Sequence, residues 1–136
     1  MSEQAIPPVS ADTLAAFREK QEAVIQEVAE RSMARDHEVA HHGEEARRLV
    51  RSGLLFTSKM LAAAMAVGDV SLLEDQITWA MVRLPHDGIV PEYVLNRFRI
   101  YRKVVGEIMP ERHAKEIEPY LTWMIDRQEG LLEERS

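Results

Sequence analysis

The sequence predicts an all-α domain, and three observations predict it. Apolar residues recur at three- and four-residue steps through most of the chain. No segment shows sustained period-two alternation or a β-hairpin turn, and no internal repeat is visible. Proline, glycine and capping residues stand where helices would start or stop. About five helices with short connections fit an antiparallel bundle or a globin-like arrangement with steeper crossings.

Residues 1–10 are expected to form an extended lead-in, because Pro7 and Pro8 disfavour helix, and residues 11–136 to form a single helical domain. From Asp12 to about Ala34, Leu14, Phe17, Val24, Ile25 and Val28 follow helical spacing, with Ser10 or Asp12 as the cap. The polar stretch Arg35 to Gly43 is a frayed end or a connection. Glu44 to Val67 is the second helix, with Glu44 and Glu45 at its positive end. Leu49, Leu54, Phe56, Met60, Leu61, Met65 and Val67 cover more than one of its faces, which predicts a central position in the bundle. Gly53 inside it costs about 1 kcal/mol relative to alanine, so another backbone is expected to pack closely there.

Gly68-Asp69 ends that helix, and Ser71-Leu72-Leu73-Glu74 reads as a capping box opening the next one, to about Leu84. Leu73, Ile77, Ala80, Met81 and Leu84 form its inner stripe. Pro85-His86-Asp87-Gly88 is a turn. Pro91 starts a fourth helix with Val94, Phe98, Tyr101, Val105 and Ile108 on its seam. The last helical region runs from Pro110 to about Glu134 through Ile117, Leu121, Met124, Ile125 and Leu131, and Pro119 is expected to kink or split it.

Composition bounds the function. With 136 residues, 46% hydrophobic and 29% charged, the chain has enough apolar material for one core. Seventeen Lys+Arg against 23 Asp+Glu give a net charge of -6, which disfavours whole-surface attraction to nucleic acid or anionic membrane. Zero cysteines exclude disulfides, thiolate metal sites, iron–sulfur clusters and a cysteine nucleophile. The N-terminus lacks a basic n-region followed by an apolar h-region, so a cytoplasmic location is expected.

Several strings could carry chemistry. His37-Glu38-Val39-Ala40-His41 matches His-Glu-x-x-His, in which two imidazoles one turn apart hold zinc and the glutamate activates water. It lies in a charged stretch with no strand beside it, and the third ligand is unassigned among Glu44, Glu45 and His113. A metal-binding protein or metal-dependent hydrolase using His37, Glu38 and His41 is thus an alternative. A di-iron carboxylate site needs a second Glu-x-x-His unit, and His113-x-x-Glu116 has the reverse order. His86 beside Asp87 is a candidate functional imidazole, and His113 a candidate axial ligand if the domain binds haem or another tetrapyrrole. Arg97, Arg99, Arg102 and Lys103 interleave with Phe98 and Tyr101, which reads as a solvated cationic face more than a nucleic-acid surface. Trp79, Trp123, Tyr101 and the methionines are core, or else line a small-molecule pocket.

The central block has a further rhythm: Leu61 to Asp69 (LAAAMAVGD), Leu73 to Arg83 with Trp79, then Gly88-Ile89-Val90-Pro91-Glu92-Tyr93-Val94 into Phe98-Arg99-Ile100-Tyr101-Arg102. From Leu14 to about Tyr120 this resembles the N-terminal sensor domain of RsbR-type stressosome proteins. It is also similar to the helical cap that precedes cobalamin-binding domains. The first resemblance implies a globin-like, usually haem-free helical fold that dimerises and passes a signal onward. Neither implies a catalytic residue. The reading from sequence is a non-catalytic sensory or regulatory domain, a homodimer that signals to another protein chain and does not bind nucleic acid or membrane. No resident cofactor is expected.

Overall fold

The computed structural model describes residues 6–35, 43–83, 85 and 90–135. These residues form an all-α bundle of five helices: α1 (Ala11–Arg35), α2 (Gly43–Val67), α3 (Ser71–Arg83), α4 (Pro91–Ile108) and α5 (Glu111–Arg135). The core joins Phe17, Val24, Ile25 and Val28 of α1 to Leu61 and Met65 of α2 and Leu73 and Ile77 of α3. Phe98, Tyr101 and Val104 of α4 and Ile117, Leu121 and Met124 of α5 complete it. Each large apolar side chain buried there contributes roughly 1.5–3 kcal/mol relative to exposure. Helices α4 and α5 run antiparallel, with Arg99 paired to Glu129 and Arg102 bonded to Thr122.

The ends of α1 and α5 are tied together at their caps. The Ser10 hydroxyl accepts the Thr13 N–H at 3.2 Å, the ordinary N-cap bond. In a capping box the same helix would supply a glutamate to the cap residue's own N–H. Here Glu116 of α5 does so, accepting the Ser10 N–H at 2.7 Å. The lead-in 6–10 then lies across the end of α2: the Val9 N–H donates to the Met65 carbonyl at 3.0 Å, and the Tyr120 hydroxyl reaches Ile6 and Pro7 carbonyls at 3.1 and 2.8 Å. Gly68 makes this approach possible. Its φ is +73°, and a Cβ there would stand 2.7 Å from the Ile6 carbonyl oxygen.

Several expectations change. Helix α2 is not enclosed on all sides: Leu54, Leu61 and Met65 are buried, whereas Leu49, Phe56 and Val67 are exposed. Among the described residues nothing from another part of the chain lies within 4 Å of a Cβ built at Gly53, so none of them makes the expected close backbone approach. The Ser71–Glu74 box is replaced by another cap, in which the Asp69 carboxylate accepts the Ser71 N–H at 2.9 Å. The Ser71 N–H and hydroxyl hold the Asp69 carboxyl below its ordinary range, while Glu74 is bonded to Arg127 of α5. Pro119 does not split α5, which is one helix from Glu111 to Arg135. Pro119 faces solvent, so water can hydrate the Lys115 carbonyl that loses its partner. On α4, Leu95 and Val104 join the buried seam, and Val94 and Ile108 are half-buried.

Gly68→Ala should destabilise the protein by at least about 1–2 kcal/mol, since an L-residue in the left-handed region carries that cost before any clash with the lead-in. Chemical denaturation measures it, and an unchanged midpoint would contradict the role assigned to Gly68.

Candidate functional site

The described residues offer two places where polar groups converge away from plain surface. The first is a cavity of about 140 Å³ bounded by α2, α3, α4 and α5. Its inner wall is Val50, Leu54, Thr57, Ile77, Phe98 and Gln128, all buried. Its rim is Leu49, Phe56 and Trp79, which are 56%, 49% and 59% exposed. Two small residues, Gly53 and Ala80, leave the space between the rim side chains open. By comparison with the ~150 Å³ apolar cavities that take up benzene, it holds about one aromatic ring.

The polar groups in this wall come from different helices. Gln76 donates its amide to the Thr57 hydroxyl at 2.9 Å, while its carbonyl oxygen is buried and has no hydrogen-bond partner. Gln128, 2% exposed, donates weakly to the Met81 sulfur and the Pro91 carbonyl, both at 3.3 Å. Arg97 also lines the cavity. An orphaned buried acceptor carries a desolvation cost of about 1–3 kcal/mol, which a ligand donor would remove. Apolar walls with few convergent polar groups are the usual form of a small-molecule site.

The second place is the α1–α5 tie. The His113 Nδ1 lies 2.7 Å from the Thr13 hydroxyl, and that hydroxyl is bonded to Glu116. An ionised Glu116 only accepts, so the Thr13 proton points to it and His113 Nδ1 carries the hydrogen given to Thr13. Thr13 is fully buried and His113 is 5% exposed, so no substrate reaches the hydroxyl and the triad-like order works as a structural clamp. The Thr13 hydroxyl first, then the Ser10 N–H, holds the Glu116 carboxyl below its ordinary range.

The sequence candidates distribute as follows. His37, Glu38, His41 and His86 lie outside the described residues. Among the described residues, no group of three His, Asp or Glu side chains is placed to hold a metal. His113 lines neither the cavity nor the shallow groove between α1 and α2, where Arg51 is bonded to Glu22 and Gln26. Trp79 does reach the cavity, whereas Tyr101 is sealed in the core on Ser58 at 2.7 Å and Trp123 packs half-buried against it. Burial pushes the Tyr101 phenol well up, which keeps it neutral. Gln76, Thr57 and Gln128 were not singled out in the sequence; a glutamine on an apolar stripe was the available signal. Neither a protein-family model nor a curated protein matches this chain.

The clamp predicts a pH dependence. A depressed folded-state carboxyl stabilises above the unfolded range near about pH 4.3, and the stabilisation is lost as pH falls through the lower folded value. Glu116→Gln should lower the denaturation midpoint at neutral pH and give a flatter decline between about pH 5 and pH 3. Some slope remains, because the Asp69 and Glu107 carboxyls are also held low. Parallel wild-type and variant curves would remove Glu116 from this role.

Proposed function

We propose that the chain is a non-catalytic sensory or regulatory domain in which a small ligand in the α2–α5 cavity biases helix packing, with the change read by a second copy or another signalling chain. The observation that carries this is the cavity itself, whose wall is shared by four helices and includes Gln76, a residue whose carbonyl oxygen is buried without a partner. A ligand touching all four favours whichever packing it fits best, and differential affinity is what shifts such an equilibrium. The ligand class is a compound of about one ring bearing a hydrogen-bond donor. Leu49, Phe56 and Trp79 supply apolar contact, and Gln76 supplies the acceptor.

The reading agrees with the resemblance to RsbR-type sensor domains, a globin-like and usually haem-free class that dimerises. On this reading the domain acts in the cytoplasm, holds no resident metal or tetrapyrrole and engages neither nucleic acid nor membrane. Among the described residues one helix, Glu44–Val67, is long and apolar enough by length and composition to cross a bilayer. Its apolar residues instead divide between the buried seam and the exposed positions described above, an arrangement that supports a place within a folded domain.

Phenol and toluene test it, since they share a ring and differ in the donor. Amide resonances of Gly53, Gln76 and Ala80 should shift with both, and phenol should bind about fivefold tighter, the worth of a net hydrogen bond of about 1 kcal/mol. Gln76→Leu should bring the two affinities together, and Ala80→Phe should abolish both by filling the space. Absence of any shift from either probe at millimolar concentration would sink the ligand reading.

A further inference from the structure

All of the large hydrophobic side chains that stay exposed among the described residues belong to α2 and α3. Leu49, Phe56 and Val67 lie on α2; Leu72, Trp79 and Val82 lie on α3; Leu55 is on another side of α2, lining the groove against α1. On α2 the exposed positions belong to a stripe with a coiled-coil period: Leu49, Gly53, Phe56, Met60, Ala63 and Val67, at steps of four, three, four, three and four. All six are exposed or half-buried, and none carries a charge. Met60 packs in part against the core and Leu49, Gly53 and Phe56 edge the cavity, but among the described residues no helix covers the outer side of this second seam.

We infer that this stripe is the contact between two copies of the chain, packed α2 against α2 in antiparallel register about a two-fold axis at Ser58. The stripe's own symmetry identifies the partner. A two-fold interface needs one patch complementary to itself, residue i meeting j while j meets i. Reversed about Ser58, Leu49 meets Val67, Gly53 meets Ala63 and Phe56 meets Met60. Large meets large at the ends and centre, and small meets small between them. Each layer also pairs an a-type with a d-type heptad position, the arrangement an antiparallel seam requires.

Gly53 gives independent support. Inside a helix it costs about 1 kcal/mol against alanine, and among the described residues nothing packs within 4 Å of where a Cβ would stand. Opposite Ala63 of a second copy, its missing side chain lets the two helix backbones come close. The size is adequate as well. Leu49, Phe56 and Val67 of the stripe present less than half of a standard contribution of ~800 Å², so the interface extends onto Leu72, Trp79 and Val82 of α3, which bring the exposed side-chain area to roughly 700 Å² per copy. Leu49, Gly53 and Phe56 also line the cavity rim, so a second copy covers its mouth and couples ligand to assembly.

This deepens the dimerisation part of the proposed function and rests on it, while the ligand part stands or falls separately in the phenol experiment. The test uses the full chain without ligand. Sedimentation equilibrium should give a dimer at micromolar concentration, and Phe56→Arg, at a half-exposed position, should weaken it at least tenfold with an unchanged circular-dichroism melt of the monomer. Because the chain has no cysteine, single-cysteine variants report register directly. A mixture of Gly53→Cys and Ala63→Cys chains should form a disulfide-linked dimer under mild oxidation, and each variant alone should not. A monomeric wild type up to about 100 µM, whether or not some other protein binds the face, overturns the inference. So does a dimer indifferent to Phe56→Arg, or self-linking of either cysteine variant.

Discussion

Helix α2 carries apolar residues on two faces, and the rest of the bundle is arranged around covering one of them. Its buried seam, with Leu54, Leu61 and Met65, meets helices from both ends of the chain. Two hydroxyls in that seam are satisfied across it: Ser58 by Tyr101 of α4 and Thr57 by Gln76 of α3. A buried hydroxyl without such a partner would cost on the order of 1–3 kcal/mol, so these bonds also set which side of α2 faces inward. The other helices cover one face of this 25-residue helix and leave the stripe beside it largely exposed.

The seam is held from outside by the chain's beginning. The lead-in crosses the C-terminal end of α2, takes one of its free carbonyls and is gripped by Tyr120 of α5. Gly68 admits that crossing, and the Gly68 and Asp69 N–H groups close on the Ala64 carbonyl at 2.8 and 3.1 Å. The same segment ends in Ser10, whose cap is completed by Glu116 rather than by a residue of α1. Helix termini, which leave unsatisfied backbone groups, thus become the points where distant parts of the sequence are joined.

The cavity follows from the same geometry. Between α2 and α3 the small residues Gly53 and Ala80 leave space that the large rim residues do not fill, and Gln76, Gln128 and Arg97 put polar groups around it. A core built only for stability would close such a gap, because lost packing carries a cost of about 24 cal/mol per Å³. The cavity, the orphaned Gln76 oxygen and the bare stripe lie side by side, and each is a local cost that binding would relieve.

Much of the fold was legible in the sequence, because helical period and helix stops are local properties. The spacing of Phe17, Val24, Ile25 and Val28, the proline at position 91 and the Gly68-Asp69 stop determined helix number and near-boundaries. The cavity was only partly legible: Trp79 was a candidate, but Gln76 and Gln128, glutamines on apolar stripes, do not reveal which groups they meet until their neighbours are known. Periodicity tells that α2 is apolar on two faces. It does not tell how many partners the fold supplies, so Phe56 and Val67 could be assigned to a core that never reaches them. Likewise Ser71 and Glu74 have capping-box spacing, but Asp69 and Arg127 compete for them and win in three dimensions. Sequence by itself determined the helices, their caps by type and the absence of thiol chemistry. Tertiary structure decided which polar groups pair, which glycine is sterically required and which apolar face remains open, because those depend on groups more than a hundred residues apart meeting in space.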